Sequence, residues 1–226
     1  MFFLFLLSCI VSWDGVDDVI TVGVDKPGLT YSISMKSSVG SSLKIVNYKD
    51  GEMVGHGSGN YFKYGLHKFI ITAAHVVDNE TNKYMVDGVE LIKLKTVYID
   101  MFNDVALMLP EEEIQTITPT YFRLNDEPNL LGSTVYHAGY PSDISKAAFR
   151  GFVSQSDKRR ILMQSVALPG SSGSVVFDDN GRVVGVLSAV KVVDFLSPEL
   201  VETLVYVERM VFLRHKSLSE ILRDAK

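Results

Sequence analysis

One cysteine, Cys9, stands in 226 residues, so no internal disulfide can form and stability must come from a hydrophobic core. The same scarcity removes thiolate metal centres, and no Cys/His set has zinc-ligand spacing. Neither a metal nor another cofactor is expected. Positive charge is also in short supply, with 22 Lys and Arg against 27 Asp and Glu and a net charge of −5. That balance gives no reason to expect a nucleic-acid partner. The one basic cluster, Lys158-Arg159-Arg160, reads as a solvated hairpin between Val153 and Ile161. Charge is missing altogether from Met1 to Trp13. This apolar run falls short of the roughly 20 residues that span a bilayer, and it lacks the basic start of a signal peptide. Three readings stay open: a secretion or membrane-association segment, a packed strand or helix, and the remnant of a longer upstream region. The first favours a secreted, periplasmic or membrane-associated location. Oligomeric state has no signature in the sequence.

With 46% hydrophobic and 22% charged residues, the chain has the balance of an ordinary globular protein and length for one sizeable core or two small ones. Short β-rich runs alternate with turn residues. Candidate strands are Leu43–Tyr48, Gly57–Tyr64, Lys68–Thr72, Tyr84–Ile92, Thr96–Ile99, Val105–Leu109, Thr134–Gly139, Ala147–Ser154, Arg160–Ser165, Ser174–Asp178, Arg182–Val190 and Thr203–Val211. Asp50-Gly51, Tyr64-Gly65, Asp87-Gly88, Pro141-Ser142 and Asn180-Gly181 punctuate them, the last being a strong hairpin signal. So many short strands with few helical periods predict an all-β fold. One helix is expected at the end, over Ser217–Asp224, with Ser217 as cap and Glu220 three residues on. Tyr and Phe alternate along the strands, which makes them core residues before stacking platforms.

Chemistry concentrates in three segments. In Leu168-Pro169-Gly170-Ser171-Ser172-Gly173-Ser174, proline and two glycines force tight bends, and a serine held on such a turn presents its oxygen and its own N–H to one point. Acyl transfer needs that pairing of nucleophile and oxyanion donor. In Lys68-Phe69-Ile70-Ile71-Thr72-Ala73-Ala74-His75, a buried-looking strand runs into small residues that let the backbone turn and free the imidazole. In Asn103-Asp104-Val105-Ala106-Leu107, a carboxylate sits at the mouth of another such strand, able to fix a histidine's tautomer.

With His75, Asp104 and Ser172 in that order, the chain resembles the chymotrypsin-like serine proteases, over roughly residues 41 to 213. The compact spacing, together with Gly57-Ser58-Gly59, Val135-Tyr136-His137-Ala138-Gly139-Tyr140-Pro141, Gly151-Phe152-Val153-Ser154 and Asn180-Gly181-Arg182, is similar to the HtrA and glutamyl-endopeptidase types. The resemblance implies two six-stranded antiparallel β-barrels with the active site between them and a short C-terminal helix. The domains would be residues 1–40 as an N-terminal extension, packed on the barrels or mobile, 41–120 as the His/Asp barrel, and 121–226 as the Ser barrel with the helix. The stretch after Ser172 is too short for the remaining strands plus a PDZ domain.

The same resemblance implies a serine endopeptidase acting on protein or peptide substrates. His75 would be the base, Asp104 its orienting acid and Ser172 the nucleophile, with the N–H groups of Gly170 and Ser172 as oxyanion hole. Val166 would floor the primary pocket beside Ala167, Ala189 and Val190 would wall it against the substrate backbone, and Ser188 would support the aspartate there. An uncharged pocket narrowed by Val190 implies cleavage after small aliphatic residues. His137 is expected to be a strand residue rather than a pocket ligand, and His56, His67 and His215 to be solvated. Two alternatives are carried: an inactive protease-fold binding module, and a virus-encoded protease acting in maturation, since such proteases can follow membrane segments.

Overall fold

The computed structural model describes residues 33–77, 81–87, 90–142, 144–194, 201–209 and 218–224. The apolar run of residues 1–13, His215 and the cap Ser217 lie outside them. Among the described residues no helix is long and apolar enough to cross a membrane.

Six strands build the first barrel: β1 (Ser42–Lys49), β2 (Glu52–Tyr64), β3 (His67–Thr72), β4 (Asn82–Asp87), β5 (Glu90–Asp100) and β6 (Val105–Pro110). They run in the order β1-β4-β5-β6-β3-β2, and an antiparallel β1–β2 pairing closes the cylinder. Asp50 and Gly51 join β1 to β2 with φ of 52° and 87°, the two positive angles of the turn that matches strand twist. A two-residue strand, β7 (Thr120–Tyr121), adds to β2 in parallel. The second barrel is closed in the order β10-β13-β12-β11-β8-β9, from β8 (Thr134–Gly139), β9 (Ala147–Ser156), β10 (Arg160–Gln164), β11 (Val175–Asp178), β12 (Val183–Asp194) and β13 (Val201–Arg209). The expected run Tyr84–Ile92 is divided between β4 and β5, a hairpin registered by Asp87 opposite Glu90.

Burial explains why these runs are strands. Leu43, Ile45, Phe62, Phe69, Ile70, Ile71, Leu107 and Met108 are wholly buried in the first barrel, each such side chain contributing about 1.5–3 kcal/mol. Phe62 stacks on Phe69, and its ring centroid lies 6.0 Å from that of Phe177 of the second barrel, so the aromatic core passes between the barrels. Helix α3 (Leu218–Asp224) follows the second barrel in the chain but buries Leu218 and Leu222 in the core of the first.

A nine-residue helix, α1 (Ile33–Ser41), precedes β1 and fills the seam against β8 and β11. Its inward face is polar: Ser34, Ser38 and Ser41, one turn apart, are fully buried. Gly181 N–H donates to Ser34 Oγ (2.9 Å), and Asn60 Nδ2 donates to Ser38 O (3.1 Å) and Ser41 Oγ (2.9 Å). Lys146 Nζ donates to Val39 O (3.2 Å) among the helix's terminal carbonyls, and burial pulls its amine down to about 8.

Candidate active site

Strand β3 ends at Thr72; Ala73 and Ala74 after it are both fully buried, and Ala74 opens the single turn α2 (Ala74–Val77). Val76 and Val77 bury the other side of that turn, which leaves His75 to face out with its side chain 45% exposed. A Cβ on Gly57 would come within 2.7 Å of Val76, so the glycine makes room for the helix that carries the histidine.

Asp104 is set by a loop built around a different acid. Asp100 accepts N–H bonds from Phe102 and Asn103, both 3.0 Å, and the side-chain amide of Asn103 at 2.7 Å. The chain then enters the left-handed region at Asp104, φ 46°, a conformation short polar residues tolerate, before plunging into the buried β6. Its carboxylate receives His75 twice: the backbone N–H on Oδ1 at 2.9 Å, and ring Nδ1 at 3.0 and 2.8 Å from the two oxygens. A third donor, the hydroxyl of Ser188 on β12, binds Oδ2. Burial alone would raise the Asp104 pKa, but the bonds from the His75 ring, Ser188 and the His75 backbone hold it below the ordinary carboxylate value. An ionised carboxylate only accepts, so Nδ1 carries the ring proton and Nε2 keeps its lone pair.

The Ser172 segment is organised by backbone. Ser171 N–H closes on Leu168 O at 2.9 Å around Pro169 and Gly170, with Gly170 at φ 90°, which is a type II turn. Ser171 is buried, and its hydroxyl accepts Leu168 N–H at 3.1 Å. Gly173, at φ 89°, has no space for a side chain, because a Cβ there would lie 2.1 Å from Ser58 O and 2.3 Å from Thr72 Oγ1. Ser172 O accepts Ser58 N–H at 2.8 Å, which ties this loop to the first barrel.

Among the engaged carbonyls of the loop, Pro169 O accepts Ser142 N–H (2.5 Å) and Ser171 O accepts Ser174 N–H (3.1 Å). In a planar trans peptide the N–H points opposite its carbonyl, so the N–H groups of Gly170 and Ser172 are turned away from those partners. Among the described residues neither N–H has a bonded acceptor, and Ser172 Oγ is not hydrogen-bonded to His75. Such contacts are commonly long in free enzymes and tighten with substrate.

The sequence pattern of the trypsin-like peptidase domain matches residues 57–186, which holds all three segments. The chain belongs to that family. Curated relatives include a "Serine protease HtrA-like" protein of Staphylococcus epidermidis, 28% identical over an alignment of 163 positions that covers 63% of this chain. The matched stretch is 27% of that relative, so the chain spans about a quarter of its length. The fold resembles the active form of the Rv3671c protease of M. tuberculosis, with TM-score 0.66, 20% identity, and 94% of each chain covered. It also resembles a serine endoprotease from Yersinia pestis, with TM-score 0.64 and 16% identity over 85% of this chain and 66% of the other. These trypsin-like structures share the two-barrel architecture described above.

Within this peptidase domain the expected pocket residues have unequal surroundings. Val166 is 50% exposed while Ala167 beside it is buried. Ala189 and Val190 lie on β12 opposite Tyr206 and Val205, just past a bulge at Leu187–Ala189. Ser188 spends its hydroxyl on Asp104. His137 is buried, stacks on Phe149 (centroids 5.1 Å) and bonds Ser165 Oγ through Nε2 at 3.1 Å. Burial depresses its pKa to about 4.

Two expectations are corrected. His56, expected in solvent, is half-buried: its Nε2 is 3.2 Å from Tyr140 O and 2.5 Å from where a Cβ on Gly170 would stand, because the second barrel folds back over that end of β2. The basic cluster does cap a β9–β10 hairpin, with Asp157 Oδ1 accepting Arg159 N–H (2.8 Å) and Arg160 N–H (2.7 Å). It is not simply solvated: Arg160 pairs with the buried Glu208, and Arg159 lies 4.7 Å over the Phe102 ring. Ser58, quoted in the sequence only within the Gly57-Ser58-Gly59 landmark, joins four groups around the Ser172 loop. Only its place between two glycines marked it, since its partners are far away in sequence.

Proposed function

We propose that this domain is a serine endopeptidase that cleaves peptide bonds through an acyl-enzyme. The observation that carries the reading is the Asp104 carboxylate, which takes both the backbone and ring N–H of His75 and so leaves Nε2 basic. Ser172 Oγ attacks the scissile carbonyl as its proton passes to His75 Nε2. The oxyanion is received by the N–H groups of Gly170 and Ser172, each worth roughly 3–4 kcal/mol in comparable enzymes. His75 returns the proton to the leaving amine, then takes one from the water that attacks the ester and passes it to Ser172 Oγ as the acyl–oxygen bond breaks. Asp104 stays ionised and balances the imidazolium.

Val166, Ala167, Ala189 and Val190 bring no charge to the primary pocket, so the residue preceding the cut should be Val, Ala, Ile or Thr. One methylene discriminates by only about 1–3 kcal/mol, and the enzyme is therefore broad.

A fluorophosphonate probe followed by peptide mapping tests the chemistry. The label should fall on Ser172 alone and vanish in Ser172→Ala, while the thermal midpoint stays within a few degrees. An unlabelled wild-type protein would indicate a binding module on a protease fold, and a label on Ser171 or Ser174 would overturn the assignment of the nucleophile. The same sample digesting a peptide library mostly after Glu, Lys or Phe would reject the pocket.

A further inference from the structure

Ser58 lies on β2 of the first barrel, fully buried, and every polar group it owns is engaged. Its N–H binds Ser172 O (2.8 Å) and its carbonyl receives the Thr72 hydroxyl (2.7 Å). Its own hydroxyl donates to Gly170 O (2.7 Å) and accepts Tyr140 N–H (2.9 Å). Two residues earlier, on the same face of the strand, His56 Nε2 meets Tyr140 O. The 140–142 segment, gripped this way, supplies the Ser142 N–H that holds Pro169 O.

These contacts bear on a weakness of the turn. A type I and a type II turn differ by rotation of the central peptide, and a glycine in the third position removes the steric bias between them. Rotation of the Pro169–Gly170 peptide would exchange the Gly170 N–H for the Pro169 carbonyl on the face where the oxyanion forms. Nothing inside the turn forbids it. The restraint comes from outside, from Ser142 on one side of the peptide and Ser58 on the carbonyl that follows.

We infer that Ser58 is a positioning residue of the oxyanion hole: its hydroxyl locks Gly170 and Tyr140 together so that the Gly170 N–H is presented in the resting protein. The inference rests on the peptidase reading above. A Cβ on Gly139 would stand 2.6 Å from Ser58 Oγ and 3.1 Å from Ser58 Cβ, so the glycine makes room for this serine.

Ser58→Ala and Ser58→Cys are assayed on an Ala-Ala-Val p-nitroanilide, with the matching peptide boronic acid as mimic of the tetrahedral state. Ser58→Ala should lower kcat about 10- to 100-fold, less than the roughly 10²–10³ lost when an oxyanion donor is deleted outright, with KM within about twofold because ground-state binding is untouched. The boronate inhibition constant should weaken by the same factor as kcat/KM. The peptide's dissociation constant, measured in a Ser172→Ala background, should not move. Ser58→Cys, with a weaker donor and acceptor, should fall between, and it carries the test if the alanine variant does not fold. A folded variant with wild-type kcat, a change confined to KM, or a boronate affinity that does not follow kcat would overturn the inference. An inactive wild-type protein would remove the peptidase reading and this one together, whereas an active wild type matched by Ser58→Ala removes this one alone.

Discussion

The two barrels hold their halves of the site by different means. In the first, a side chain is fixed by side chains: His75 is pinned by a carboxylate that is itself pinned by Ser188, and the loop bearing Asp104 is assembled around the Asp100 carboxylate. In the second, a backbone is fixed by its own conformation, with two glycines at positive φ, a closed Pro-Gly turn and a series of N–H to carbonyl bonds, and by the Ser58 hydroxyl on the Gly170 carbonyl. A proton relay requires a defined charge and tautomer, which formal charges supply. An oxyanion site requires N–H directions, which only main-chain conformation supplies. The first half should therefore be sensitive to deleting a charge, and the second to adding a methyl group.

The sharpest break of that contrast is Asp104→Asn, which keeps the shape but removes the charge and turns one acceptor oxygen into a donor. Turnover should fall by about 10⁴, as in the serine-protease triad that serves as the general example, with little change in the melting temperature. Near-normal turnover would show that another acid orients His75.

Gly173→Ala should act in the opposite sense, on the fold before the chemistry. The new methyl would meet a main-chain oxygen and a positive φ at once, and we expect a loss of about 3 kcal/mol or more, read from urea unfolding. A stable, inactive variant would show instead that the loop relaxes locally.

Acid titration separates the halves by window. The Asp104 carboxylate, depressed in the fold, contributes stability above its ordinary value of 3.8 that is lost as pH falls through its folded pKa. His137 works differently, because it stays neutral in the fold down to about pH 4 while the unfolded chain takes up a proton near 6.5. Stability should thus decline by up to about 3 kcal/mol between pH 6.5 and 4 and change no further on its account below that. His137→Gln should flatten this upper window and leave the lower one. An unchanged slope in the variant would refute the assignment.

What could be read from the chain follows the same division. The strands, the Asp50-Gly51 and Asn180-Gly181 turns and the three segments of the candidate site were legible because alternation, small residues and glycines are local signals. Helix α1 was not, since Ile33–Ser41 is rich in serine, carries a glycine and has no apolar stripe. Its reason for being helical lies in Asn60, Lys146 and Gly181. β7 was too short to carry a pattern, and the parting of β4 from β5, although marked by Asp87-Gly88, was read through as one strand. Ser58, His56 and the Arg160–Glu208 pair escaped for a common reason: each is defined by partners from the other barrel or a distant strand.

The docking of α1 also sets an order of events during synthesis. Its Ser34 hydroxyl waits for an N–H 147 residues further along the chain, which at typical elongation rates leaves the ribosome roughly 7–30 s later. A nine-residue segment of poor helix formers is not stable alone for that time. The first piece of this domain to be made is therefore among the last to take its shape, and it settles only when the strand that follows the nucleophile is already in place.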